Sequence, residues 1–255
     1  MKQWWIDFYH RNRQAVFLLY FLIYLPWFYL LERTVVPEYW IHTRLDDWIP
    51  FCEYFVIPYL FWFAYVALAM VFFYRRSRGE FSRLCLFLFT GMTICLILYG
   101  LFPNGHHLRP WRFEHSNAFT GLVRLIYMAD SCTNVCPSIH TLNSIGVQIA
   151  VWRSPLLRGR PWVRYGSLAV CVSIILSTVF LKQHSVLDVF TAAALACPLY
   201  VLAYRVDWPA VLRRWNGPNA PASSLPNCRP GSISSATAPS SRFPAPSGNC
   251  RSKRS

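Results

Sequence analysis

Acidic residues are scarce in this chain, with 11 Asp and Glu among 255 residues against 25 Lys and Arg. Charged residues of both signs make up 14%, where soluble domains carry about 25%. That deficit argues against an ordinary soluble domain and points to a bilayer as solvent. No internal repeat is evident, and the nine cysteines show no framework spacing. Cys85, Cys95, Cys171 and Cys197 lie in apolar runs and read as small core hydrophobes. No small-x-small cleavage site follows the first apolar run, which contains Pro26, so that run is expected to act as a signal anchor.

What is present is apolar: 55% hydrophobic and 17% aromatic residues. Six stretches near 14–31, 54–74, 84–103, 136–152, 165–182 and 185–204 are long enough to span or nearly span a bilayer. The fourth and sixth read as the least apolar, as helices lining a site would. The expected fold is all-α, a polytopic membrane protein of six transmembrane helices with its active site at one membrane face. Residues 1–13 are expected to form a cytoplasmic N-terminus, 14–205 the membrane domain and 206–255 a disordered, basic, Pro- and Ser-rich tail.

The formal charge of +14 raises a nucleic-acid reading, but the charge alternates by connection. Nineteen of the 25 basic residues lie in the N-terminus, the second and fourth connections and the tail. A nucleic-acid stripe would not alternate so; positive-inside asymmetry does, and it puts both termini in the cytoplasm. The expected location is a cell membrane, with the alternate connections facing outward.

Those alternate connections carry the chemistry. Pro137-Ser138-Ile139-His140 places a histidine at the rim of an apolar run, and Ser177 leads to His184 and Asp188. Residues four apart share a helix face, so Asp188 can hold one ring nitrogen of His184 and leave the other for a substrate. A histidine so oriented is a nucleophile or base, and a second histidine can be the matching acid. Arg109-Pro110 precedes both. Taken singly, each feature has a plainer reading: an interfacial histidine, a Ser138 helix cap, an arginine meeting headgroups.

Taken in order, PSxH and SxxxxxxHxxxD with the preceding Arg-Pro resemble the phosphatidic acid phosphatase type 2 superfamily of membrane lipid phosphatases and phosphotransferases. DSCTNVCPSIH and STVFLKQHSVLDV look like its branch that includes inositol phosphorylceramide synthase-type enzymes. The resemblance covers roughly residues 45 to 205. It implies His184 as nucleophile forming a phosphohistidine, His140 as acid for the leaving alkoxide and Asp188 as the orienting carboxylate. It implies Arg109, Ser138, Ile139 and Ser177 around the phosphate, with Ile139 where many relatives have glycine. Asp130 and Asn134 are further candidates, either for the site or for holding their loop.

Two departures stand out. The lysine expected seven residues before the arginine is Phe102, and the arginine expected after the serine of the last motif is Thr178. Arg112, Arg124 or Lys182 are candidates to compensate. The loss is shared with the synthase-like branch, which handles phosphodiesters, so it favours transfer as the alternative to hydrolysis. The implied function is hydrolysis of a lipid phosphate monoester or diphosphate, and the partners are a lipid phosphate, the bilayer and, for transfer, an alcohol acceptor. No nucleic acid, cofactor or metal is expected. A non-catalytic lipid-binding protein on the same fold is the reading from a different class. Cys132, Cys136 and His140 step by four, but Pro137 is expected to start the helix at its first position, which takes the cysteines off it. Pairing of Cys132 with Cys136 stays open.

Overall fold

The computed structural model describes residues 17 and 19–208, so the N-terminal segment 1–13 and all but the first three residues of the expected tail lie outside the described residues. Eight helices are seen there: α1 (Tyr20–Thr34), α2 (Arg44–Trp48), α3 (Val56–Arg76), α4 (Arg78–Leu101), α5 (Ala118–Ala129), α6 (Ile139–Arg153), α7 (Pro161–Phe180) and α8 (Val186–Tyr200). A π-helical turn, Val201–Arg205, extends α8. Among the described residues, four helical stretches are long and apolar enough to cross a membrane: Glu53–Arg76, Arg78–Leu101, Pro161–Phe180 and Val186–Arg205.

The long helices follow from their sequences. The apolar run of α3 ends at Arg75-Arg76, and extended Ser77 both stops it and caps α4, its Oγ accepting from Glu80 N at 3.4 Å. Around the bundle, Leu22, Ile23, Phe63, Trp162 and Phe190 are exposed, the outward apolar belt that a hydrocarbon solvent stabilises and water does not.

Helix α6 is different. It has 15 residues and buries Thr141, Asn143, Ser144 and Gln148, because α3, α4, α7 and α8 all pack around it. Protein, not lipid, is its solvent: Ser144 and Gln148 find partners there, while Thr141 Oγ1 and Asn143 Oδ1 have none among the described residues. Tyr65 donates to Ser167 Oγ at 2.8 Å, and Ser167 donates to Gln148 Oε1 at 2.6 Å. Close approach of α4 and α6 depends on two glycines. A Cβ on Gly146 would lie 2.5 Å from a Phe87 ring carbon, and one on Gly91 would lie 2.8 Å from a Leu142 methyl.

Three sequence expectations change. Helix α5 was not among the six stretches; it is a 12-residue amphipathic helix between the third and fourth. The stretch Val186–Arg205 has mean hydropathy 1.9, above the 1.7 of Pro161–Phe180, so the sixth is not the less apolar of that pair. Pro137 precedes α6 rather than opening it, with Ser138 as the N-cap.

The odd-numbered connections meet at one end of the bundle. A two-residue parallel pair, β1 (Tyr39–Trp40) with β2 (Asn104–Gly105), joins the first to the third, and Gly105 bridges to Thr133. Cys52 N donates to Phe180 O at 3.1 Å, and Tyr99 Oη donates to Pro137 O at 2.6 Å. At the far end, Ser154 Oγ donates to Glu80 Oε2 at 2.6 Å.

Candidate active site

Two helix N-termini face one another where the connections converge. His184 sits in the turn before α8, whose Ser185–Asp188 capping box closes the first turn. Its Nδ1 lies 3.3 Å from Asp188 Oδ2, which also accepts from Ser185 N at 2.9 Å. A carboxylate only accepts, so Nδ1 carries the proton and Nε2 keeps its lone pair. Asp188 is 0% exposed and His184 7%. The turn is held from behind: Thr178 O accepts from both Gln183 N and His184 N at 2.9 and 3.0 Å. Lys182 takes up the tight bend with φ 53°.

His140, at the second residue of α6, packs its ring on Tyr59 at 4.8 Å and Trp62 at 4.4 Å between centroids. The rings of His140 and His184 are 5.7 Å apart, close enough for one phosphoryl group to reach both. Ser138 is a cap, its Oγ accepting from Thr141 N at 3.3 Å, and its own amide donates to Asp188 O at 3.2 Å. That bond locks the two helix starts together. The amides of Ile139 and His140, in the first turn of α6, have no acceptor within their helix.

Arg109 is largely committed to the protein. Nη1 donates to the carbonyls of Tyr127 at 3.2 Å and Asp130 at 2.9 Å. Nη2 donates to Ser131 O at 2.8 Å and Gln183 Oε1 at 2.5 Å. Its guanidinium lies 4.4 Å from the Tyr127 ring centroid. Arg109 Nε and Gln183 Nε2 are buried donors without a partner among the described residues. Arg109 therefore staples the loop after α5 to the residue beside His184, with one N–H in reserve.

The remaining candidates divide. Asp130 is near enough to His184, Arg109 and Glu32 to feel their charges, and Tyr59 meets its carboxyl. Burial and then the Glu32 charge raise its pKa, against the opposing pull of Arg109, His184 and Tyr59. Asn134, at φ 56°, is buried and donates to Leu31 O at 3.3 Å, while its Oδ1 has no partner. Ser177 Oγ donates to Ile174 O at 2.6 Å, and Thr178 Oγ1 to Ile175 O at 2.8 Å, so both hydroxyls turn back on their own helix. Lys182 Nζ donates to the carbonyls of Asp46 at 2.6 Å and Ile49 at 2.5 Å. Arg124 lies over Phe113 at 5.3 Å, and Arg112 is exposed. Cys132 and Cys136 are both free thiols, and Cys136 Sγ lies 3.2 Å from Thr191 Oγ1. Among the described residues no three His, Cys, Asp or Glu side chains are grouped to hold a metal ion.

Several residues at the site carry no motif. Tyr59 and Trp62 support His140 from α3. Asn104 accepts from the amides of Val135 and Cys136 at 3.0 and 2.8 Å, shaping the approach to Ser138. His106 accepts from Leu108 N through Nδ1 at 3.2 Å, which leaves Nε2–H to donate to Gln183 O at 2.8 Å. Burial above all holds the His106 pKa down at about 4. The chain matches no family model, no curated protein and no solved structure.

Proposed function

We propose that this chain is a membrane lipid phosphatase of the phosphatidic acid phosphatase type 2 kind, acting through a phosphohistidine. The observation that carries the reading is the pairing of His184, backed by Asp188, with His140 at 5.7 Å. In the first step the Nε2 lone pair of His184 forms a bond to phosphorus and the bond from phosphorus to the lipid oxygen breaks. His140, as imidazolium, gives that oxygen its proton; the negative charge of the bound phosphate favours the protonated ring. In the second step water gives a proton to the now neutral His140 and attacks phosphorus, breaking the N–P bond and releasing phosphate. Asp188 stabilises the positive ring of the intermediate, and the open amides of α6 face charge on the phosphate oxygens.

The same reading takes α1 and α6 as spans alongside the four long helices, giving six. The arginines of the second and fourth connections, Arg75, Arg76, Arg78, Arg83, Arg153, Arg158, Arg160 and Arg164, support a cytoplasmic position for that end and an outer one for the histidines. The cell membrane is the setting that follows.

A second reading has one observation in its favour. None of the three residues set against the losses at Phe102 and Thr178 is turned to the histidines: Lys182 is engaged by carbonyls, Arg124 by Phe113, and Arg112 is exposed. A site with one arginine suits a singly charged phosphodiester, and an alcohol acceptor in place of water makes the enzyme a headgroup transferase. Purified protein in detergent, assayed for phosphate release from phosphatidic acid, phosphatidylglycerophosphate and a polyprenyl diphosphate, tests the first reading. Product formed from a phosphodiester lipid only when diacylglycerol or inositol is added selects the second. No turnover under either condition removes both.

A further inference from the structure

The most heavily bonded carboxylate at this end of the molecule belongs to neither motif. Asp46, in α2, is 1% exposed and accepts four hydrogen bonds. Two are local, from Thr43 N and Thr43 Oγ1, each at 2.8 Å to Oδ2. The other two cross the molecule to the start of α8: Ser185 Oγ donates to Oδ2 at 2.6 Å, and Val186 N to Oδ1 at 2.8 Å. A buried carboxylate is strongly unfavourable unless it is met by donors in this way. Burial alone would raise the Asp46 pKa, but the bonds from Ser185, Val186 and Thr43 outweigh it and hold the pKa down, so the group is ionised.

The bonded residues flank the reacting turn. Val186 N goes to Asp46, Ser185 N to Asp188, and the Ser185 hydroxyl, while donating to Asp46, accepts from Leu187 N at 3.2 Å. Two carboxylates thus grip successive amides immediately after His184. Lys182, on the other side of His184, donates its Nζ to the carbonyls of Asp46 and Ile49. The α2 segment therefore clasps the turn on both sides of the histidine.

We propose that Asp46 is a positioning residue for phosphoryl transfer, fixing His184 for attack through Ser185 and Val186. The inference rests on the phosphohistidine reading of the site. It assigns to the first outer connection a role in the chemical step beyond covering the bundle. Displacement of a reacting group by about 1 Å costs on the order of a hundredfold in rate, and Asp46 is built to prevent such displacement. Asn at position 46 is similar in shape, but its amide nitrogen cannot accept from Ser185 Oγ or Val186 N.

The test is single-turnover formation of the labelled phosphoenzyme, with steady-state kcat and KM, in wild type, Asp46→Asn, Ser185→Ala and the double variant. The expected result is a fall of roughly 10- to 100-fold in phosphoenzyme formation and kcat in each single variant. KM should stay within about threefold, and the double variant should be no slower than Asp46→Asn, because the Ser185 hydroxyl acts through its bond to Asp46. Wild-type phosphoenzyme formation in Asp46→Asn, or losses that multiply in the double variant, would overturn the proposal. So would a lowered melting temperature with an unchanged rate per folded molecule. If Asp46→Asn does not fold, Ser185→Ala decides alone by the same split of kcat from KM. Absence of label in the wild type fails the phosphohistidine reading itself, and is distinct from a labelled wild type with unaffected variants.

Discussion

The two helix starts that meet at the site are built oppositely. That of α8 is filled: Asp188 takes Ser185 N, Asp46 takes Val186 N, and two carboxylates occupy the place where a helix would otherwise attract an anion. That of α6 carries no acidic residue in its first turn; Ser138 takes Thr141 N, and the amides of Ile139 and His140 have no acceptor within the helix. Both ends carry a histidine. Under the proposed function the difference divides their roles: the filled end holds a ring by its carboxylate, and the open end would receive negative charge. A phosphate seated against α8 would meet Asp46 and Asp188, whereas against α6 it would meet the N–H groups of Ile139 and His140.

The strongest way to break this assignment is at the filled end. His184→Ala should lose turnover entirely, and Asp188→Asn should lower kcat by about 10³–10⁴-fold, the cost of losing an orienting carboxylate in a triad. Full activity in His184→Ala would remove the nucleophile from this end. Next in size is Arg109→Lys. A lysine cannot remake four bonds to Tyr127, Asp130, Ser131 and Gln183, so kcat/KM should fall on the order of 10²-fold. An unchanged rate would mean that the staple does not matter to the chemistry.

A smaller effect separates support from reaction. His106 is neutral in the fold, with a pKa depressed from 6.5 to about 4. The unfolded chain binds a proton there at higher pH than the folded one does. Stability from this group is thus complete above pH 6.5 and lost as the pH falls towards 4, by about 3 kcal/mol in all. Replacing His106 by Gln should flatten that part of the stability profile measured by denaturation in detergent. An unchanged slope would place the acid sensitivity elsewhere. The smallest effect sharpens the comparison most directly. Ser138→Asp keeps a side chain that can cap Thr141 N, at a cost in stability because position 138 is buried, and it closes the open end with a negative charge. KM should rise by roughly tenfold with kcat little changed; an unaltered KM would deny that the phosphate sits there.

Much of this arrangement was legible in the sequence and some was not, for physical reasons. The helices over Val56–Arg76, Arg78–Leu101, Pro161–Phe180 and Val186–Tyr200 follow from long apolar runs, and the Asp188–His184 contact follows from their spacing on one chain segment. Helix α5 escaped because 12 residues with Arg124 among them do not make a span, and its pattern is amphipathic rather than continuous. Asp46 was not among the candidates. The Thr43–Asp46 capping box is a local pattern, whereas Ser185 lies 139 residues away and no spacing rule connects them. The resemblance put Arg109 at the phosphate, but the carbonyls that hold it belong to backbone, which every residue carries alike, so its role as a staple had no sequence signal.

The central claim is that His184 becomes covalently phosphorylated. Mixing the purified protein with a lipid labelled in its phosphate, quenching within milliseconds and digesting the chain would locate the label. The account predicts phosphate on the peptide containing His184, labile in acid and stable in base, absent from His184→Ala and accumulating when His140 is replaced by Ala and the leaving group needs no proton. Label on a serine or aspartate, or a wild type that turns over with no label at any quench time, would contradict it.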